Sequence, residues 1–89
     1  MQDYYRVGEE TFFWLWDRPE QRPAGYSGLT RVEQLVRARA LAAESGRSLE
    51  LRRRQRMNDY VGPPIWGNDR LIQIVPLRES RLRLAGLAA

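Results

Sequence analysis

The sequence predicts a small α+β domain with the element order β-β-α-β-β, in which one helix packs on one face of an antiparallel or mixed sheet. Three observations support this fold class. Short β-prone runs lie on both sides of one capped helical segment, and segments rich in Gly and Pro separate the elements. One further strand is expected near the C-terminus. The 89 residues are expected to form a single domain, 1–89.

The first two runs, residues 4–7 and 11–16, predict a β-hairpin closed by a two-residue turn at Gly8-Glu9. Strand alternation would divide the second run into two faces, with Phe12, Trp14 and Trp16 on one and Phe13 and Leu15 on the other. Both faces are apolar. The strand is therefore expected either to be covered on both sides or to leave one aromatic face open for binding.

A loop is predicted over residues 17–29, which contain two prolines and two glycines and are long for a domain of this size. Thr30 and Glu33 then form a capping-box pattern, in which each side chain can bond to the backbone N–H of the other residue. The pattern predicts a helix over residues 31–44 that ends at Ser45-Gly46.

The helical periodicity predicts which side of this helix faces the sheet. At 100° per residue the core-facing stripe comprises Val32, Leu35, Val36, Ala42 and Ala43. Arg39 falls within the same stripe, so its side chain is expected to snorkel along the helix or to pair with a carboxylate at the edge of the core. Leu41 points the opposite way and is expected to be exposed.

Residues 48–56 alternate between two kinds of side chain, which predicts a half-buried strand. Leu49 and Leu51 would face the core, followed on that side by Arg53, and the opposite face would be strongly cationic. Residues 57–69 read as irregular because they contain two prolines and two glycines. Residues 70–75 predict another strand, with Leu71, Ile72, Ile74 and Val75 mostly buried. Residues 80–88 fit a final strand or a short helix.

All fifteen basic side chains are arginines, and the chain has no lysine, histidine or cysteine. An imidazole base, a thiolate nucleophile, a lysine Schiff base and zinc sites built on Cys or His are therefore excluded. We expect no enzymatic activity, no catalytic residue, no cofactor and no metal site. The lack of cysteine and of a long apolar run fits a cytoplasmic protein without a signal peptide or membrane segment. A GC-rich genome would account for the choice of arginine over lysine.

The position of the arginines is more informative than their number. On a strand, Arg52, Arg54 and Arg56 would project from one face at intervals of about 7 Å, close to the spacing of phosphates along a nucleic-acid strand. Arginine binds carboxylates equally well. Such aligned cations repel one another, so Glu50 with carboxylates of a neighbouring strand, or an anionic partner, should offset the repulsion. The predicted binding residues are completed by Arg47, Tyr26, Tyr60 and Trp66, since arginine and aromatic residues dominate interface hot spots.

Three functions fit this pattern. The first is a non-enzymatic protein that binds an acidic surface of a protein partner; from size and character alone, a phage or mobile-element inhibitor of a host nucleic-acid-handling complex, of the anti-CRISPR kind, is expected. The second is direct nucleic-acid binding through Arg52, Arg54 and Arg56. The third is a small assembly subunit that forms a dimer through an open sheet edge. A net charge of +4 is compatible with all three.

Overall fold

In a computed structural model, which describes residues 1–76, one helix packs against a four-stranded antiparallel sheet. The strands are β1 (Gln2–Val7), β2 (Glu10–Phe12), β3 (Leu49–Arg56) and β4 (Trp66–Val75), and their order across the sheet is β2-β1-β3-β4. The helix α1 spans Arg31–Ser45, and a short 3-10 helix spans Pro19–Gln21. The predicted α+β class is confirmed. The strand or helix predicted for residues 80–88 lies outside the described residues.

The N-terminal hairpin forms as predicted, but its second strand is shorter. Gly8 has a φ of 60°, which suits the first position of the two-residue turn between Val7 and Glu10. β2 ends at Phe12, so the prediction of a strand over residues 11–16 is wrong beyond that point. The chain leaves the sheet there because its backbone groups form hydrogen bonds with the segment that leads into α1 instead of with a neighbouring strand. The N–H of Leu15 donates to the carbonyl of Leu29 at 3.0 Å.

Aromatic residues cover both faces of the sheet, and β1 organises them. Tyr4 and Tyr5 are 3% and 4% exposed and point to opposite faces because successive strand residues alternate. On the side of α1, the Tyr5 ring lies 5.1 Å from the ring of Trp14. On the outer face, which is the face opposite α1, the Tyr4 ring lies 4.8 Å from that of Phe13. The strand that is covered on both faces is therefore β1, whereas the prediction of such a strand concerned residues 11–16.

The ends of α1 match the prediction because local side-chain chemistry fixes them. The Thr30 hydroxyl accepts from the N–H of Glu33 at 3.4 Å, and the Glu33 carboxylate accepts from the N–H of Thr30 at 2.8 Å. The backbone bond from Thr30 lowers the pKa of Glu33, with Arg22 adding to the effect. At the other end Gly46 adopts a left-handed conformation with a φ of 68° and donates to the carbonyl of Ala42.

The predicted core-facing stripe of α1 is wrong for two of its valines. Val32 and Val36 are 58% and 40% exposed, whereas the buried positions are Gln34, Ala38 and Ala42. Leu41, expected to be exposed, is partly buried against the core. The helix turns its smallest side chains toward the sheet because the sheet already contributes large side chains to the core. A stripe of alanines lets the helix backbone approach the sheet closely. Gln34 fixes this rotation by donating a hydrogen bond to the carbonyl of Phe13.

Among the strands of residues 1–76, β4 lies at the edge of the sheet, and it is less buried than predicted. Leu71, Ile72 and Ile74 are 44%, 40% and 53% exposed, which contradicts the expectation that they are mostly buried. The reason is that α1 packs over β1, β2 and β3, and the β3–β4 pairing contains two irregularities. β4 also begins at Trp66, so the predicted irregular segment over residues 57–69 is shorter than expected. Within residues 1–76, no helix has the length and apolar character needed to span a membrane.

Candidate interaction surface

The outer face of the sheet holds a stacked cation. The guanidinium of Arg54 lies 4.1 Å from the ring centroid of Trp66 and 4.5 Å from that of Phe13, with the Tyr4 ring at 5.7 Å. These distances lie within the range of cation–π attraction. The three aromatic rings come from three different segments: β1, the chain just after β2, and β4. Because all three rings contact Arg54, the stack holds these segments against β3. We call Tyr4, Phe13, Arg54 and Trp66 the Arg54 stack.

The charge of Arg54 has no acidic partner among residues 1–76. Its Nε–H donates to the side-chain oxygen of Gln2 at 2.7 Å, which is a neutral acceptor. Burial lowers the pKa of Arg54 because loss of water around the guanidinium disfavours the charged form, and the nearby Tyr4 and Asp69 oppose this only in part. Within the described residues its terminal nitrogens donate no hydrogen bond. Arg54 therefore offers a fork of donors to solvent or to a ligand.

Arg52, two residues earlier on the same face, is internally neutralised. Its Nε lies 2.7 Å from Asp69 and one terminal nitrogen lies 2.9 Å from Glu50. The hydrogen bond to Asp69 is the largest cause that raises the pKa of Arg52, whose side chain is only 17% exposed. Tyr4 also donates its hydroxyl to Asp69. Glu50 and a carboxylate of the neighbouring strand thus offset the cationic repulsion along β3, which was one of the two predicted solutions.

Arg56 holds the loop that connects β3 and β4. Its guanidinium donates to the side-chain oxygen of Asn58 at 3.2 Å and to the carbonyls of Asp59 and Gly62 at 3.0 and 2.9 Å. It also stacks at 5.1 Å on the ring of Tyr60. These contacts leave only one terminal nitrogen of Arg56 without a hydrogen bond among residues 1–76, so most of its donors are committed to the loop.

Residues 57–65, which form this loop, are closed by further hydrogen bonds. The N–H of Met57 donates to the carbonyl of Ile65 at 2.7 Å, and the N–H of Ile65 donates to the side-chain oxygen of Asn58 at 2.9 Å. The Asn58 amide also donates to the carbonyl of Pro63. Because Arg56 and Asn58 bind the backbone at several points, the loop has a defined shape although it contains no regular structure.

The same loop exposes four apolar side chains, which we call the apolar tip. Their exposed fractions are 56% for Met57, 92% for Tyr60, 86% for Val61 and 62% for Ile65. Scattered apolar side chains are ordinary on protein surfaces, but four on one ordered loop form a patch of the kind found at binding sites. The tip follows directly from Arg56 and precedes Trp66 in the chain. It therefore adjoins the Arg54 stack.

The structure divides the residues that the sequence predicted as one binding set. Arg54 and Trp66 lie in the Arg54 stack, and Arg56 and Tyr60 belong to the adjoining loop, whereas Arg52 is engaged by carboxylates. The remaining two lie elsewhere. Arg47 packs beside Gly8 at the turn of the first hairpin, seven residues before Arg54, and the 67% exposed Tyr26 belongs to the loop before α1.

Sequence reasoning missed several members of this surface. Phe13 was assigned to a strand face, and Gln2, Met57, Val61 and Ile65 were not singled out. A usable signal was present for the loop, because Tyr60-Val61 and Ile65 are apolar residues in a Pro- and Gly-rich segment where no core is expected. No comparable local signal marks Gln2 or Phe13, since their roles depend on pairing between distant strands.

The residues described contain no group of three or more acidic side chains that could hold a metal ion. The surface is thus built from arginine, aromatic and aliphatic side chains, which bind by stacking, apolar burial and charged hydrogen bonds. A scan against protein-family models finds no match to this chain, and searches of curated proteins and of solved structures likewise find none.

Proposed function

We propose that this chain is a non-catalytic binding domain that engages a protein partner through the apolar tip and the Arg54 stack. The observation that carries the proposal is the exposure of Tyr60 and Val61, at 92% and 86%, on a loop fixed by Arg56 and Asn58. An ordered loop loses little conformational entropy on binding. Its apolar side chains would gain from burial in a complementary pocket.

The partner should present an acidic group beside that pocket. Arg54 has donors to spare and no carboxylate partner within residues 1–76. A carboxylate from the partner could bind its terminal nitrogens in a bidentate manner. Tyrosine, tryptophan and arginine, placed beside aliphatic residues, are the composition of interface hot spots.

Direct nucleic-acid binding is less well supported by the geometry. A phosphate ladder along β3 would need Arg52, Arg54 and Arg56 to be available together. Arg52 is paired with Asp69 and Glu50, and Arg56 is bonded to its own loop. The narrower hypothesis of a host nucleic-acid-handling complex as the target stays a prediction, as does the assembly of a dimer.

The test compares a tip variant with a matched control. In Tyr60→Ser/Val61→Ser the tip loses its apolar side chains, and Val32→Ser makes an equivalent change at an exposed position on α1. Both variants should keep the wild-type melting temperature, since exposed side chains contribute little to stability. Partners captured from cell extract by the wild type should be lost by the tip variant and retained by the control, and an identified partner should bind the tip variant about 30-fold more weakly.

Two results would contradict the proposal. One is retention of every captured partner by the tip variant. The other is a mobility shift of generic DNA or RNA that weakens steeply with salt, is lost in Arg54→Gln and is unaffected by the tip variant. The second result would instead support direct nucleic-acid binding.

A further inference from the structure

A second site lies on the helix side of the sheet, between α1 and the β3–β4 pair. It is a cleft with a volume of about 170 Å³. Its apolar lining comes from Leu35, Leu51 and Val75, its polar lining comes from Arg31, Arg39 and Gln73, and Tyr5 of β1 completes it. This cleft is separate from the apolar tip and the Arg54 stack, which lie on the outer face and in the loop beyond it.

Arg39 supplies the most unusual feature of the cleft. Its Nε atom is buried and has no hydrogen-bond partner. Buried polar groups in proteins are nearly always paired, and a buried charged group without a partner is costly. Arg39 was predicted either to snorkel along the helix or to pair with a carboxylate at the edge of the core, and no such pair forms among residues 1–76. Residues 1–76 thus provide no acceptor for this Nε, and the Arg39 side chain lines the cleft.

Arg31 provides a second cation that is held in place. Its Nε–H donates to the hydroxyl of Tyr5 at 3.1 Å, and its guanidinium lies 5.2 Å from the Trp14 ring and 5.9 Å from the Tyr5 ring. Its terminal nitrogens donate no hydrogen bond within the described residues. Since the stacking and the Nε bond fix the plane of the group, the remaining donors are oriented before any ligand arrives.

No carboxylate of residues 1–76 lines this cleft. The nearest acids to Arg31, Asp3 and Asp17, line a neighbouring cleft on its other side. Asp3 already accepts two hydrogen bonds from Arg53, at 2.7 and 3.1 Å, and Asp17 accepts one from the indole N–H of Trp14 at 3.0 Å. The Arg39 cleft therefore combines two cations, one amide side chain and an apolar floor.

We propose that the Arg39 cleft binds a small oxyanion, whose oxygen atoms accept hydrogen bonds from Arg39 and Arg31. The group could be a phosphate or a carboxylate, because guanidinium forks fit both. The small volume suits one such group. The bound anion would offset the charge of the Arg39 guanidinium, for which residues 1–76 supply no carboxylate.

Thermal unfolding at constant ionic strength tests the proposal, with sodium chloride replaced stepwise by sodium phosphate or sodium acetate. The wild type should be stabilised in a saturable manner, as expected for a ligand that binds the folded state. In Arg39→Met the affinity for the stabilising anion should fall about ten-fold or more, the loss expected on removing a charged hydrogen-bond donor. Without added oxyanion Arg39→Met should melt at or above the wild-type temperature, because it removes an unpaired buried donor.

Arg37→Met is the matched control, since Arg37 lies on the same helix and donates to Gln34 outside the cleft. It should respond to oxyanions as the wild type does, including any general salting-out effect of phosphate. Stabilisation by phosphate alone identifies a tetrahedral oxyanion, and stabilisation by acetate as well identifies a carboxylate. Equal responses of the wild type and Arg39→Met would overturn the proposal.

A second measurement does not depend on the variant folding. In the wild type, the Nε–H resonance of Arg39 should shift in a saturable manner as the stabilising oxyanion is added, while that of Arg54 should not follow the same curve. Absence of any shift at Arg39 during both titrations would also overturn the proposal.

Discussion

At the scale of single residues, the arginines differ in what their charge contacts. Arg52 and Arg53 are paired with carboxylates, Arg56 binds backbone carbonyls, and Arg54 and Arg31 lie against aromatic rings. The count of fifteen is therefore a poor guide to the available positive charge. A guanidinium that is already bonded on two sides stabilises the fold and has few donors left for a partner.

The pair between Asp3 and Arg53 makes the stability of the protein depend on pH. The hydrogen bond from Arg53 lowers the pKa of Asp3 below its ordinary value of 3.8, although burial opposes the shift. A carboxyl group with a lowered pKa in the folded state stabilises the fold above its ordinary pKa. That contribution disappears as the pH falls through the folded-state value.

We expect Asp3→Asn to lower the free energy of unfolding at pH 7, with the difference from the wild type shrinking between about pH 5 and pH 2. Urea denaturation across this pH range measures the difference. Glu20→Gln is the control because the Arg18–Glu20 pair is 68% and 69% exposed, and such pairs contribute little. A constant difference between Asp3→Asn and wild type at every pH would show that Asp3 stabilises the fold without its charge.

At the scale of elements, α1 depends on its ends as well as on its packing. Gly46 terminates the helix with a φ of 68°, which residues with a side chain rarely adopt. Among residues 1–76, no atom beyond Gly46 and the adjoining backbone lies within 4 Å of the position that a Cβ at Gly46 would take. Any cost of substitution there comes from the backbone conformation and not from a steric clash.

Gly46→Ala should therefore lower the free energy of unfolding by about 1 kcal/mol, the cost of a left-handed conformation for an L-residue. Gly46→Asn should cost less, because asparagine tolerates this conformation better than alanine. Equilibrium denaturation of the three proteins gives both differences. Equal losses in the two variants would indicate that the helix end rearranges instead of keeping its left-handed residue.

Elements governed by local chemistry were predictable from the sequence. The capping box at Thr30 and Glu33 fixed the start of α1, Gly46 fixed its end, and the alternation after Leu49 identified β3 and its two faces. The side of α1 that meets the sheet was not predictable from periodicity. Ala38 and Ala42 face the sheet because the large side chains of the sheet leave room only for small ones, and the helix sequence does not reveal this. The burial of β4 depended on its position at the edge, which sequence order does not reveal.

The candidate site was predictable only in part, for the same reason. That Arg52, Arg54 and Arg56 share a face follows from strand alternation. Which of these arginines remains available to bind a partner depends on Asp69 and Trp66. The register of β4 against β3 places these two side chains on the same face. The exposed tip of the β3–β4 loop could have been predicted from its apolar residues. The hydrogen bonds from Arg56 that order this loop could be identified only from the structure.

At the scale of the whole molecule, the sheet has a protected centre and two different edges. β1 and β3 are paired on both sides, and they carry the fully or nearly fully buried Val7 and Leu49. β2 is three residues long, and β4 is ten residues long with three exposed aliphatic side chains. No strand of residues 1–76 pairs with the outer side of β4, and a long strand with a free side offers unpaired backbone groups to another strand.

Hydrogen exchange should report this gradient of stability. In a monomer, the amides of β1 and the β1-facing amides of β3 should exchange most slowly, and those of β4 on its outer side should exchange fastest within the sheet. Exchange followed by NMR at two protein concentrations measures both the order and its dependence on association. The hypothesis of a dimer would be supported if the outer β4 amides became protected at the higher concentration and the mass from light scattering rose as well.

The opposite orientations of Tyr4 and Tyr5 have a consequence for how such a chain can change over evolution. Neighbouring residues serve different layers: Tyr4 meets Phe13 on the outer face, and Tyr5 meets Trp14 under the helix. Insertion or deletion of one residue in β1 would exchange the two layers, moving each tyrosine away from its aromatic partner. Variation in chain length is therefore expected to be confined to the loops, such as residues 17–29, while the spacing between Tyr4-Tyr5 and Phe13-Trp14 stays fixed.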